Sequence, residues 1–130
     1  MTAKDVYDIG MEELKKFSVE GLLPGLRAAN SGAIEDVKNT NGCLYYQWSC
    51  ALMSGLKPKQ VVELGGAMGV WDICVLHSLS PHAKLFSVTL KEGGLEFSYV
   101  IDKYPNFIPC DEIHHYPYAD VKVLPYIDSS

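Results

Sequence analysis

The chain has 130 residues, of which 48% are hydrophobic and 21% charged, a balance that suits a folded domain and excludes disorder. Net charge is −5 and the 11 basic residues are scattered, which excludes a broad electrostatic grip on nucleic acid. No apolar run approaches the roughly 20 residues of a membrane span, and the N-terminus lacks the apolar segment of a signal peptide, so a cytoplasmic protein with no membrane partner is expected.

Residues 3–19 are predicted to form a helix capped by Thr2, with Asp5 placed to complete a capping box. Val6 or Tyr7, Gly10 or Met11, Leu14 and Phe17 recur along it at helical spacing. Gly21-Leu22-Leu23-Pro24-Gly25 breaks the pattern, Leu26 to Asn30 has room for one short helical turn, and residues 32–41 read as a polar loop. A second helix is capped by Thr40 or Asn41 and carries Leu44, Trp48 and Leu52 on one face. Gly55 suits the left-handed position that closes such a helix, and Pro58 prevents its continuation.

Val61 to Leu64 then reads as a buried strand, followed by a glycine turn and an apolar helix from Val70 to Leu79 that Ser80-Pro81 ends. Lys84 to Leu90 is a second strand, so strand, helix and strand form a parallel βαβ unit. Leu95 to Tyr104 is predicted as a further helix. Phe107 to His115 contains Pro109, which points to an edge or broken strand, and Val121 to Leu124 has the pattern of another short one. Cys43, Cys50, Cys74 and Cys110 show no metal or redox spacing and are expected to be free thiols, mostly buried. His114 and His115, beside Asp111 and Glu112, would point to opposite faces of a strand, so solvated loop residues and no metal site are expected.

The chemistry concentrates in Glu63-Leu64-Gly65-Gly66-Ala67-Met68-Gly69. A strand that ends at a carboxylate and turns on glycines brings bare N–H groups to a helix start, a place to hold a ligand carrying negative charge and hydroxyls. The dinucleotide fingerprint fails, since Ala67 and Val70 stand where its later glycines belong, and this disfavours an oxidoreductase. A P-loop fails for want of Gly-Lys-Ser/Thr.

The remaining pattern, Glu-x-Gly-x-x-x-Gly, resembles the first motif of the class I S-adenosylmethionine-dependent methyltransferases, over a span from Leu44 to Phe107. The resemblance implies an α/β fold, a three-layer Rossmann-like parallel sheet with helices on both faces. The sheet is expected to be incomplete, with three to four strands. A single domain over residues 1–130 would then divide into N-terminal helices, 1–56, and a βαβ cofactor-binding core, 57–130. S-adenosylmethionine would be held by Glu63, Gly65, Gly66, Ala67 and Gly69. Thr89 stands where the family places a ribose-binding acid, with Glu92 as its substitute if the loop folds back. Tyr45, Gln47 or Trp48 could reach over the cofactor from the second helix. The implied activity is methyl transfer to a small molecule, with no catalytic residue marked. The alternative is a degenerate fold of the same kind acting as a non-catalytic binding or oligomerisation module. Self-association into a homo-oligomer is expected under both, because missing strands leave a sheet edge and an apolar face exposed.

Overall fold

A computed structural model describes residues 1–38, 44–64, 69–88 and 95–110. Helix α1, Ala3–Leu14, opens with the expected capping box: the Asp5 N–H donates to Thr2 Oγ1 at 3.1 Å, and the Thr2 N–H donates to Asp5 Oδ2 at 2.8 Å. Those hydrogen bonds hold the Asp5 carboxyl below its ordinary range. The helix stops five residues short of the expected end, because the N–H groups of Lys15, Lys16 and Phe17 turn back three residues to Glu12, Glu13 and Leu14.

The next segment departs from the sequence reading. A single 3-10 turn, Val19–Gly21, leads into α2, Leu23–Ala28, so the expected break is a helix start. Pro24 lies in the first turn of α2, where its missing N–H costs no hydrogen bond. The expected polar loop contains α3, Ile34–Lys38, whose Val37 is buried in the core. Helix α4, Tyr45–Leu56, runs through Gly55, and its left-handed C-cap is Lys57 (φ 49°). Thr40, Asn41 and Cys43 lie outside the described residues.

Three parallel strands follow in the spatial order β1–β2–β3: β1 Gln60–Leu64, β2 Lys84–Val88 and β3 Phe107–Cys110. Helix α5, Val70–Ser78, joins the first pair and α6, Leu95–Lys103, the second. The chain is therefore mixed α/β with a small parallel sheet. Among the described residues β3 pairs only with β2, with Pro109 opposite Ser87. Residues 111–130, with the expected strand Val121–Leu124 and His114–His115, lie outside the description.

Register sets which face is covered. Val61, Leu85 and Phe107 lie side by side across the sheet, and all belong to or pack on the core beneath α5. Ile73, Cys74, Val75 and Leu76 of α5 are buried, as expected for a helix enclosed between neighbours. α5 touches β2, α4 and α6, and α1 packs along α4. Cys50 donates to the Cys74 carbonyl at 3.0 Å, and Ser54 shares a cavity wall with His77 and Ser78. Helices α4 and α5 thus run side by side in one direction, and their N-termini share the end of the molecule where the parallel strands finish. Among the described residues no helix is long and apolar enough to cross a membrane.

Candidate functional site

Two residues beyond the apolar row, Glu63 and Ser87 are register partners on the same face of the sheet. Ser87 is fully buried, and its hydroxyl donates to Glu63 Oε1 at 2.8 Å. Glu63 is half-buried, and its Oε1 is anchored by Ser87 one residue before the C-terminal end of β1. In open parallel sheets that edge is where ligands bind.

Helix α5 starts above this edge. Its N-cap, Gly69, has φ 84° and ψ −3°, a left-handed conformation that a side chain would strain. Three residues into the helix stands Asp72, with 0% of its surface exposed. Neither Asp72 oxygen accepts a hydrogen bond from a described donor. Burial is the main reason its carboxyl is pushed up from 3.8 to about 10, and the nearby Glu63 carboxylate adds to it. Asp72 is therefore a neutral acid at pH 7. Two ionised carboxylates can only accept, so the nearby Glu63 makes ionisation of Asp72 costlier still.

Of the residues singled out from the sequence, the structure places Glu63 and Gly69 at this edge. Gly65, Gly66, Ala67, Thr89 and Glu92 lie outside the described residues. Gln47 is engaged elsewhere: it is buried, and its amide donates to the carbonyls of Val37 at 3.0 Å and Lys38 at 3.5 Å, closing the end of α3. Trp48 packs between α1 and the core with its ring 6.4 Å from Tyr7. Tyr45 is half exposed at the start of α4, where it lines a cavity of about 400 Å³ with Tyr7, Met11, Leu44 and Trp48.

Asp72 and Ser87 were not singled out by sequence reasoning. Asp72 had one usable signal, a lone acid in the apolar run Val70 to Leu76 at the third position of a helix. Ser87 had a weaker one, lying two residues past Leu85 on the covered face of a strand.

A second cavity of about 400 Å³ lies at the other end of α4 and α5, walled by Glu13, Lys16, Ser54 and His77 among others. His77 is exposed, and its partial desolvation lowers its pKa. Cys50 and Cys74 are free and buried, and the Cys74 thiol is pushed up by its hydrogen bond to the Cys50 sulfur and by burial. No group of three or more His, Cys, Asp or Glu residues among the described ones could hold a metal ion. No family model, no curated protein and no solved structure matches the chain.

Proposed function

We propose that the chain is a methyltransferase-like domain that binds S-adenosylmethionine at the glycine turn after β1 and takes a small molecule as methyl acceptor. The sheet is then the β1–β2–β3 portion of a three-layer Rossmann-like fold, with helices on both faces in the complete arrangement. One observation carries this reading. A carboxylate one residue from the end of β1 is held in place by Ser87 and precedes a helix whose N-cap glycine is left-handed. The described residues fit part of the cofactor: Glu63 offers acceptor positions to an ammonium or hydroxyl group, and Gly69 lets backbone N–H groups come close to it. Thr89 or Glu92 would take the ribose.

When bound, the cofactor supplies an electrophilic methyl group on a sulfonium. The chain's own contribution is to bind and orient, which suffices for much of the rate when donor and acceptor are correctly placed. No general acid or base is assigned. The second reading, a non-catalytic binding or oligomerisation module, is favoured by one observation, the threonine at position 89 where the family carries an ionised acceptor.

Calorimetric titration of the full chain with S-adenosylmethionine and with its demethylated product separates the two. Binding at about micromolar concentration, near −8 kcal/mol, that Gly65→Val abolishes is the expected result. No heat with either compound at millimolar ligand overturns the cofactor reading and leaves the module.

A further inference from the structure

We propose that the groove between α1 and α4 is an aromatic cage for a quaternary ammonium group carried by a soluble small molecule. The groove shares no residue with the edge of the sheet, so the cage stands whether or not that edge holds a cofactor.

The lining carries the assignment. Tyr7 and Met11 from α1 and Leu44, Tyr45 and Trp48 from α4 enclose about 400 Å³, the size of a small-ligand site. Three of the five are aromatic and a fourth is a polarizable thioether. Leucines would serve an aliphatic ligand as well; ring faces add an attraction for positive charge. Tyr7 and Tyr45 are 56% and 51% exposed, so each keeps ring surface in water at the groove instead of packing it into the core.

Neighbours hold the rings in place. The Trp48 indole seats over Gly10, where a Cβ would lie 2.6 Å from Cε2. Tyr45 is braced edge-on by Tyr46, with centroids 5.4 Å apart and planes at 63°. The Tyr7 and Trp48 rings are 6.4 Å apart and tilted by 32°. A single cation can therefore lie within about 6 Å of both centroids. The Trp48 Nε1 is buried against Gly10 without a described partner, so the indole has no donor to offer an anion in the groove.

Charge points the same way. Among the described residues no charged side chain lines the groove, and α4 carries none along its length. On α1, Lys4 is matched by Asp8 at 2.6 Å, and Lys15, just past the helix end, by Glu12 at 3.0 Å. Asp5 remains, an acid that the N-cap holds ionised, in a chain of net charge −5. An ammonium wrapped in methyl groups gives up little hydration on entering such a lining. A compact, strongly hydrated ammonium or metal ion would leave water for few oxygens.

NMR titration of the full chain with choline and with 3,3-dimethyl-1-butanol, in which carbon replaces the ammonium nitrogen, tests the cage. Choline is expected to bind at about millimolar concentration, and the neutral isostere at least about tenfold more weakly. Equal affinities overturn the cation assignment, and no shift from choline well above that concentration overturns the cage.

Tyr7→Leu and Tyr45→Leu lie outside the core cluster. Each is expected to weaken choline by about three- to tenfold and to leave the neutral isostere within about twofold. Tyr7→Phe and Tyr45→Phe, which keep the ring, should stay near wild type. Phe variants as weak as the Leu variants, or an equal loss for both compounds, overturn the role of the rings. If Tyr7→Leu does not fold, Tyr45→Leu decides alone. Phosphatidylcholine vesicles that capture the chain when free choline does not bind would overturn the assignment to a soluble ligand and move the cage to a membrane surface.

Discussion

The α1–α4 contact and the end of β1 fill buried space by opposite means. Between the helices the chain removes atoms. A Cβ built on Gly10 would press into the Trp48 indole, 2.6 Å from Cε2, and one built on Gly55 would lie 2.6 Å from Ile9 Cγ2. The two helices approach closely because neither position carries a side chain. The end of β1 adds charge where carbon would pack better. Asp72 replaces a core residue with an acid that must keep its proton, beneath a second acid that Ser87 ties down. The first region is close packing of apolar groups, at the cost of a Trp48 indole N–H buried without a described partner. The second costs stability, and such local conflicts concentrate at functional sites.

The largest expected effect comes from removing the acid at position 72. Its folded pKa is about 10 and its ordinary value is 3.8. Between those values the folded chain holds a proton that the unfolded chain has released. Stability is full below the unfolded value and falls as pH rises, by at most about 1.4 kcal/mol per pH unit for one proton. Asp72→Asn removes that slope but leaves one buried N–H without a partner, a cost of about 1–3 kcal/mol. The two stability curves should therefore cross, with the wild type more stable near pH 4 and the variant more stable near pH 9. Urea midpoints at several pH values check this. Parallel curves would show that Asp72 ionises normally and remove the contrast between the two regions.

The packed interface gives the next effect. Gly10→Ala should destabilise by about 2 kcal/mol, the cost of overpacking against a ring held in the interface, less up to about 1 kcal/mol gained from helix propensity. Gly55→Ala should cost less, because its other close neighbour is the flexible Glu13 side chain, at 2.8 Å. A Gly10→Ala, Trp48→Phe double variant should cost less than the sum of its parts, since the smaller ring gives way. Strict additivity in denaturant melts would mean that the indole is not what Gly10 accommodates.

Those two regions also differ in how far the sequence reveals them. The capping box of Thr2 and Asp5 and the helix from Val70 are set by contacts a few residues apart, and the strand of Val61 to Leu64 is marked by its run of residue types, so spacing and residue type suffice. Glu63 and Gly69 were legible for the same reason. Helix α3 was not, because its five residues depend on the Gln47 amide reaching the Val37 carbonyl from the next helix. Gly55 looked like a terminator, and its use is instead to let α1 approach, with Lys57 taking the left-handed position two residues later. Asp72 was hidden most deeply. Only the register of β1 with β2 and the start of α5 above them make a lone acid in an apolar helix a partner of Glu63.

The smallest effect lies at the hinge between strand and helix, and it separates backbone cost from ligand cost. Gly69 caps α5 at φ 84°, where an alanine would bring its Cβ against the following carbonyl. Gly69→Ala should therefore destabilise by about 1 kcal/mol, and Gly69→Asn by about half of that, because asparagine tolerates the left-handed region. Thermal melts of the three chains give this order if the turn is only a turn. Should the turn also hold an anionic ligand group close to its backbone, both variants would lose affinity well beyond their shared loss of stability, because each adds atoms on the approach side. Equal losses in melting and binding would make Gly69 a structural cap and place the recognition in Glu63, held by Ser87.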